Sequence, residues 1–359
     1  LRFPPPLRRL FTRFVTIFAY CSFFIQTHVK RFGYDTLVAC YRKGADMVLM
    51  KRPYRWAILY SLVLVLAAGY VLLDTFVIPR SLPAAAEAQA TGVIATAAAS
   101  TAVAQPDDTS TAQSLTAAVV TDTSYQDDNI QITLDTVYVY DTAVYIADIR
   151  IADASYLETA LANGLYGRNI KETTSAMAES NDAIFAINGD YYGFRNDGYV
   201  IRNGVLYRAV SGGNEDLVID GDGNFSIIDE SDTTAQSLVD AGARQVLSFG
   251  PTLVNNGEIT VSAGSEVGQS KSSNPRTAIG QVSELHYIVI VSDGRTSQSA
   301  GLSLLELAQL FAEHGCSVAY NLDGGGSSTM WFNGRIVNNP TDGRSFGERS
   351  VSDIVYFSA

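Results

Sequence analysis

The segment NLDGGGSST (Asn321–Thr329) puts a carboxylate directly before three glycines and three hydroxyls. Glycine has no Cβ, so such a run lets the backbone turn tightly or lets another group come close. Its N–H groups can form a concave nest for an anion, phosphate above all. Asp323 would repel phosphate, and suits acid/base work, acceptance of a sugar hydroxyl, or a cation. The loop is not a nucleotide phosphate loop, which needs G-x-x-x-x-G-K-[ST]. Three other polar loops follow apolar runs: NGDYYGFRNDG (Asn188–Gly198), NPRTAIG (Asn274–Gly280) and SDGR (Ser292–Arg295). Functional residues gather on loops held by a rigid scaffold, and these four are expected around one pocket. Arg276 is the best phosphate partner, because a guanidinium grips phosphate bidentately. Arg295 and Arg349 suit the same task or a surface ion pair. Asp190 and Asp293 are carboxylates at strand ends, or simple turn residues.

Several chemistries are excluded. There is no G-x-S-x-G nucleophile elbow, so Ser327 and Ser328 are poor nucleophiles. There is no H-E-x-x-H, and too few histidines for a histidine-rich zinc site. DGDGN (Asp220–Asn224) opens like a calcium loop, but Phe225 and Ser231 stand where Gly and Glu are needed, so it is a hairpin turn. The need for a divalent cation stays open.

The elements that must position these loops are mixed. Ile130–Ile151 is rich in β-branched and aromatic residues and predicts a hairpin. SYLETALANG (Ser155–Gly164) and KETTSAMAESND (Lys171–Asp182) predict short helices. AIFAING, Leu285–Arg295 and SVAYNLDGGG predict buried strands that end in the candidate loops. Asn-Gly pairs in IRNGVLYR, VNNGEITV and WFNGRIVN predict tight hairpins. Ser303–Gly315 is the clearest helix, with a Ser303/Glu306 capping box and Gly315 as its stop. The fold class expected is α+β, a mixed and largely antiparallel sheet with a few helices, preceded by a single N-terminal transmembrane helix.

Charge is divided along the chain. Residues 1–55 hold 11 Lys/Arg and 2 Asp/Glu, a net of +9; the remainder holds 14 against 35, a net of −21. Trp56–Leu73 carries no charge, and residues 56–78 are long enough to span a bilayer. The positive-inside rule then places residues 1–55 in the cytoplasm, with a single pass through the plasma membrane and the C-terminal domain extracellular. Phe14–Ile25 is a shorter apolar run that suits an interfacial helix. Residues 79–124, mostly Ala, Thr and Ser, read as a linker, and residues 125–359 as the folded domain. Cys316 is the sole cysteine after the apolar segment, so that part forms no internal disulfide. The acidic domain repels polyanions, and no nucleic-acid partner is expected.

The order NGDYY, NPRTAIG, SDGR, the SLLELAQLF helix, NLDGGGSSTM and RSVSD resembles the phosphodiester glycosidase family, over roughly residues 130–359. The resemblance implies hydrolysis of a sugar-1-phosphodiester at the anomeric carbon. It implies that Arg276 and the amides of Gly324, Gly325 and Gly326 take the phosphate, with Ser327 beside them in the substrate site. Asp190 or Asp323 would be the catalytic carboxylate. Asn188 and Asp293 would hold sugar hydroxyls or orient the site, and Arg295 would be a second anion contact. Behind a membrane anchor, the substrate expected is a phosphorylated glycan of the cell wall or an exopolysaccharide of a bacterial envelope. A non-catalytic module that binds anionic glycans is the other reading, since fold does not fix function.

Overall fold

A computed structural model describes residues 52–85, 118–265, 273–343 and 345–359. The expected interfacial helix at Phe14–Ile25 and most of the expected linker lie outside these residues. The chain divides into two units, residues 1–71 and 72–359.

Helix α1 (Arg52–Phe76) is long and apolar enough to cross a membrane, and none of its described side chains is buried. A signal sequence meets the same test of length and composition.

Four strands open the second unit: β1 (Arg80–Ser81), β2 (Val119–Val120), β3 (Ser124–Gln126) and β4 (Ile130–Val139). Then come β5 (Thr142–Ile151), β6 (Leu157–Leu161), β7 (Gly167–Arg168), α2 (Thr174–Ser180), β8 (Ala183–Asn188), β9 (Val200–Arg202) and β10 (Val205–Arg208). The middle holds β11 (Glu215–Ile219), β12 (Phe225–Asp229), α3 (Ala235–Asp240), β13 (Gln245–Leu247), β14 (Thr252–Asn255) and β15 (Glu258–Ile259). The last third holds β16 (Arg276–Ser283), β17 (His286–Ser292), α4 (Leu304–Glu313), β18 (Val318–Asn321), β19 (Met330–Phe332), β20 (Arg335–Ile336), β21 (Thr341–Asp342), β22 (Ser345–Phe346) and β23 (Asp353–Ser358).

Nine strands form one sheet in the order β15-β14-β18-β16-β17-β5-β4-β3-β2. Two five-stranded sheets, β10-β9-β13-β11-β12 and β20-β19-β8-β23-β6, share the main core with it. Every strand pairing among the described residues is antiparallel. That core takes Ile132 and Ile149 from one side and Phe185, Leu217, Phe332 and Phe357 from the other. The outer face of the nine-stranded sheet buries Ile288 and Ile290 under Leu307 and Phe311 of α4. Helix α2 covers the second small sheet through Met177, and α3 covers the first through Leu238. Central strands are therefore apolar on both faces: every residue of β17 is buried.

The local signals behave as their chemistry requires. The β4–β5 hairpin turns on Tyr140 and Asp141, with φ of 52° and 53°, the left-handed pair that tight hairpins need. Asn203, Asn256 and Asn333 take positive φ in the three Asn-Gly turns. Helix α4 carries the complete capping box from Ser303 and Glu306.

One expectation changes. The helix predicted over Ser155–Gly164 is instead strand β6 between short 3-10 turns. Leu157 and Thr159 alternate inward there, and the strand pairs along its whole length with β23. Strand β2, from Val119, pairs with β3 at the edge of the nine-stranded sheet. At the other end of the expected linker, Arg80 and Ser81 pair with β7.

Candidate active site

Strand β18 ends at Asn321, and the glycine loop makes one 3-10 turn before β19. Each glycine admits a different neighbour. A Cβ on Gly324 would lie 2.9 Å from the Pro275 carbonyl oxygen. On Gly325, whose φ is +67°, it would lie 2.7 Å from the Arg295 guanidinium. On Gly326 it would lie 2.6 Å from Arg349 Nη2 and 2.7 Å from Asp342 Oδ1. The run thus lets the NPRT segment and two guanidinium groups close on the loop. The Gly325 N–H is already donated to the Pro275 oxygen at 2.8 Å, so that amide is not open to an anion.

Asp323 borders a cavity of about 270 Å³ with Lys171, Tyr191, Phe194, Ser327, Asp342 and Arg349. Burial pushes its carboxyl up to about 6, although the Ser327 hydroxyl, Arg349, the Gly324 N–H and Arg195 all pull it down. Arg349 donates from Nη2 and Nε to Asp342 Oδ1 at 2.6 and 3.0 Å. Tyr191 and Phe194 stack on one another with ring centroids 4.6 Å apart and together form the aromatic side of the cavity. Arg195 stands over the Phe249 ring and donates to the Ser248 carbonyl. One raised carboxyl, two cationic side chains and an aromatic wall can together hold an anionic sugar derivative and move a proton.

Of the other residues proposed from the sequence, Asn188, Asp190, Asp293 and Arg276 are buried and none of them lines this cavity. Asn188 is fully buried; its Oδ1 accepts from Thr277 Oγ1 at 2.8 Å and the Thr329 N–H at 3.2 Å. Its Nδ2 donates to the Asp323 carbonyl at 2.6 Å, so it staples the glycine loop to β8 and β16. Asp293 accepts from Tyr145 OH and from the backbone and side-chain N–H groups of Asn339. It anchors the segment leading to β21 and is not turned to the cavity. Arg276 is buried beside Gly324, with Nε donating to the Leu302 carbonyl at 3.0 Å. Neither Arg276 nor Asp190 lines the cavity. Arg295 is exposed, lies against Gly325 and donates to Asn274 Oδ1.

Asp190 belongs to a buried ion network. Its Oδ2 meets Arg202 Nη2 at 2.7 Å, and the same guanidinium reaches Asp353 Oδ2 at 2.7 Å. Burial alone would raise Asp190, but Arg202 and the N–H groups of Ser248 and Tyr192 more than offset it and hold the carboxyl below its ordinary value. Burial and then the neighbouring Asp190 charge act the other way on Asp353, whose carboxyl is raised. Asp190 Oδ1 also accepts from the Tyr192 N–H at 2.8 Å, which ties the network to the turn that carries Tyr191.

Lys171, Tyr191, Phe194, Arg202, Asp342 and Asp353 were not singled out by sequence reasoning. Among the described residues, no three His, Cys, Asp or Glu side chains converge as a metal site. Cys316 is buried in the core, and burial pushes its thiol up to about 12.

With this geometry in place, comparisons with known proteins are informative. Residues 181–358 match the family model described as phosphodiester glycosidase. The SPbeta prophage-derived uncharacterized protein YomE of Bacillus subtilis (strain 168) is 33% identical over 201 residues, 54% of this chain and 30% of that protein. The mouse N-acetylglucosamine-1-phosphodiester alpha-N-acetylglucosaminidase is 42% identical over 67 residues, 19% of this chain and 13% of that enzyme. The chain thus spans less than a third of the length of these curated relatives. The catalytic domain of the zebrafish enzyme of that name, auto-inhibited by its pro-peptide, superposes with a TM-score of 0.52 at 22% identity. That likeness covers 64% of this chain and 83% of the zebrafish chain, and it speaks for the fold.

Proposed function

Residues 181–358 belong to the phosphodiester glycosidase family, and on that premise we propose that this chain hydrolyses sugar-1-phosphodiesters in the cavity beside Asp323. The observation that carries the reading is the meeting of a raised carboxyl with Arg349 and Lys171 against an aromatic wall. The sugar ring packs against the stacked Tyr191–Phe194 pair, and its phosphate takes Arg349 and Lys171 as partners. A phosphate monoester is a good leaving group, so little acid help is needed as the bond from the anomeric carbon to oxygen breaks. The guanidinium and ammonium groups take up charge on the departing phosphate. Asp323, ionised above about pH 6, accepts a proton from the water that attacks the anomeric carbon. Asp190, Asn188, Asp293 and Arg276 act as positioning residues around this centre.

Helix α1 anchors the chain in the plasma membrane in this proposal, with residues 1–55 in the cytoplasm. The domain then meets envelope glycans, such as wall polymers or exopolysaccharides joined through phosphodiesters. One observation favours a binding module instead: of the two carboxylates at the cavity, Asp342 is already paired with Arg349. The test uses the full chain in detergent, with a methyl phosphodiester of N-acetylglucosamine-1-phosphate as substrate. Release of free sugar, abolished by Asp323→Asn and Arg349→Ala, supports hydrolysis. Substrate binding without release, unaffected by Asp323→Asn, would replace it with the binding module.

A further inference from the structure

A second cavity, of about 690 Å³, opens between β6, the β9–β10 hairpin and the end of α2. Its size falls within the range of small-molecule sites, roughly 300–1,000 Å³. Glu158, Asn163, Glu172, Asn181, Tyr207 and Tyr356 line it. The two cavities adjoin one backbone bridge. Glu172 and Val351 exchange N–H···O bonds of 3.0 and 2.8 Å; Lys171 and Val351 border the first cavity and Glu172 the second.

Their charges are opposite in sign. The first presents Arg349 and Lys171. The second presents two carboxylates, and the guanidinium at its edge, Arg202, is already held by Asp190 and Asp353. An anion entering the second cavity would meet net repulsion. Glu158 accepts from Tyr356 OH at 2.8 Å, and Glu172 Oε2 accepts from the Asn163 N–H at 2.8 Å. These bonds fix both carboxylates at the cavity wall, where carboxylate oxygens and side-chain amides suit the hydroxyls of a polyol. The half-buried Tyr207 supplies an apolar ring with a polar tip.

The geometry points to a second carbohydrate site here, one that takes an uncharged stretch of oligosaccharide beside the anion-attracting cavity of Asp323. This site does not depend on the hydrolysis reading. A catalytically dead chain would still hold the glycan, and a failed glycan test would leave sugar release at Asp323 untouched.

The test is isothermal titration of the full chain, in a detergent without a sugar headgroup. The probes are a β-1,4-linked N-acetylglucosamine tetramer, a glucose tetramer and a galacturonate tetramer. At least one neutral tetramer is expected to bind, and the galacturonate tetramer to bind at least about tenfold more weakly. Val205→Arg, at an exposed position on the cavity rim, is expected to weaken the neutral tetramer by about tenfold or more, and Arg349→Ala to leave it unchanged. Hydrogen exchange of the unmodified chain gives a readout that needs no variant: bound tetramer should protect the backbone amides of residues 157–164 and 203–207. No binding by either neutral tetramer, equal binding of galacturonate, loss on Arg349→Ala, or protection confined to residues 190–195 and 342–350 would each overturn the site.

Discussion

Asp323 offers a test in which stability and function move in opposite directions. Its carboxyl is raised from an ordinary 3.8 to about 6. The folded protein therefore holds this proton up to about pH 6, whereas the unfolded chain releases it near pH 4. Between those values the folded state binds more protons, so stability falls as pH rises, and the loss is complete above about pH 6. A displacement of this size corresponds to about 3 kcal/mol at most. Asp323 is half-buried at the cavity, and screening at the cavity mouth reduces this to about 1–2 kcal/mol. Asp323→Asn removes the charge and keeps the shape, so it should stabilise the chain by that amount at pH 7. Below about pH 4 the difference should vanish. Thermal unfolding of both proteins from pH 4 to 8 gives the difference directly, with the other titrating groups common to both. If the Asn variant is no more stable at pH 7, or its advantage grows as pH falls, then burial does not govern this carboxyl. The same variant should lose sugar release. If the unmodified chain hydrolyses the phosphodiester as proposed, its kcat/KM should fall about tenfold for each pH unit below about 6.

Arg202→Met leaves Asp190 and Asp353 buried without their shared cation, and should cost about 3–5 kcal/mol in denaturant unfolding. Gly324→Ala sets a Cβ against the backbone oxygen of Pro275 and should destabilise by about 1–3 kcal/mol in the same assay. Gly326→Ala meets only the ends of the Arg349 and Asp342 side chains, which can swing away; its unfolding midpoint should barely change, while KM for the phosphodiester rises. Asp342→Asn frees Arg349 from a solvent-exposed pair worth at most about 1 kcal/mol, and should strengthen inhibition by inorganic phosphate.

What the sequence made legible was local. The β4–β5 hairpin, the three Asn-Gly turns and the capped helix α4 are each specified by residues within a few positions of one another. Strand β6 was not, because Leu157 and Thr159 gain their burial from β23, almost two hundred residues later in the chain. The candidate site divides in the same way. Asp323 and its glycines stand out by type and spacing. Asp190, Asn188, Asp293 and Arg276 also stand out, yet their side chains point into the fold. A carboxylate or guanidinium at a strand end has the same appearance in a sequence whether it meets a ligand or braces a loop. Lys171 comes from a distant segment that only tertiary packing brings to Asp323, and Tyr191 and Phe194 sit among loop aromatics with nothing to distinguish a wall from a core.

The puzzle of an acidic residue before an apparent anion nest resolves through these contacts. The glycines do not chiefly present their own amides, since one is already bonded to Pro275. They remove side chains so that cationic groups from SDGR and RSVSD can lie against the loop. Asp323 then borders a cavity in which positive charge comes from Arg349 and Lys171, and in which its own proton affinity is raised by burial rather than lowered by tight pairing. Asp190 shows the alternative: Arg202 and the N–H groups of Ser248 and Tyr192 hold its carboxyl below its ordinary value. Proton transfer and ion pairing make opposite demands on a carboxyl, and this domain meets both by using two. The tightly paired one fixes the turn, and the loosely compensated one faces the cavity.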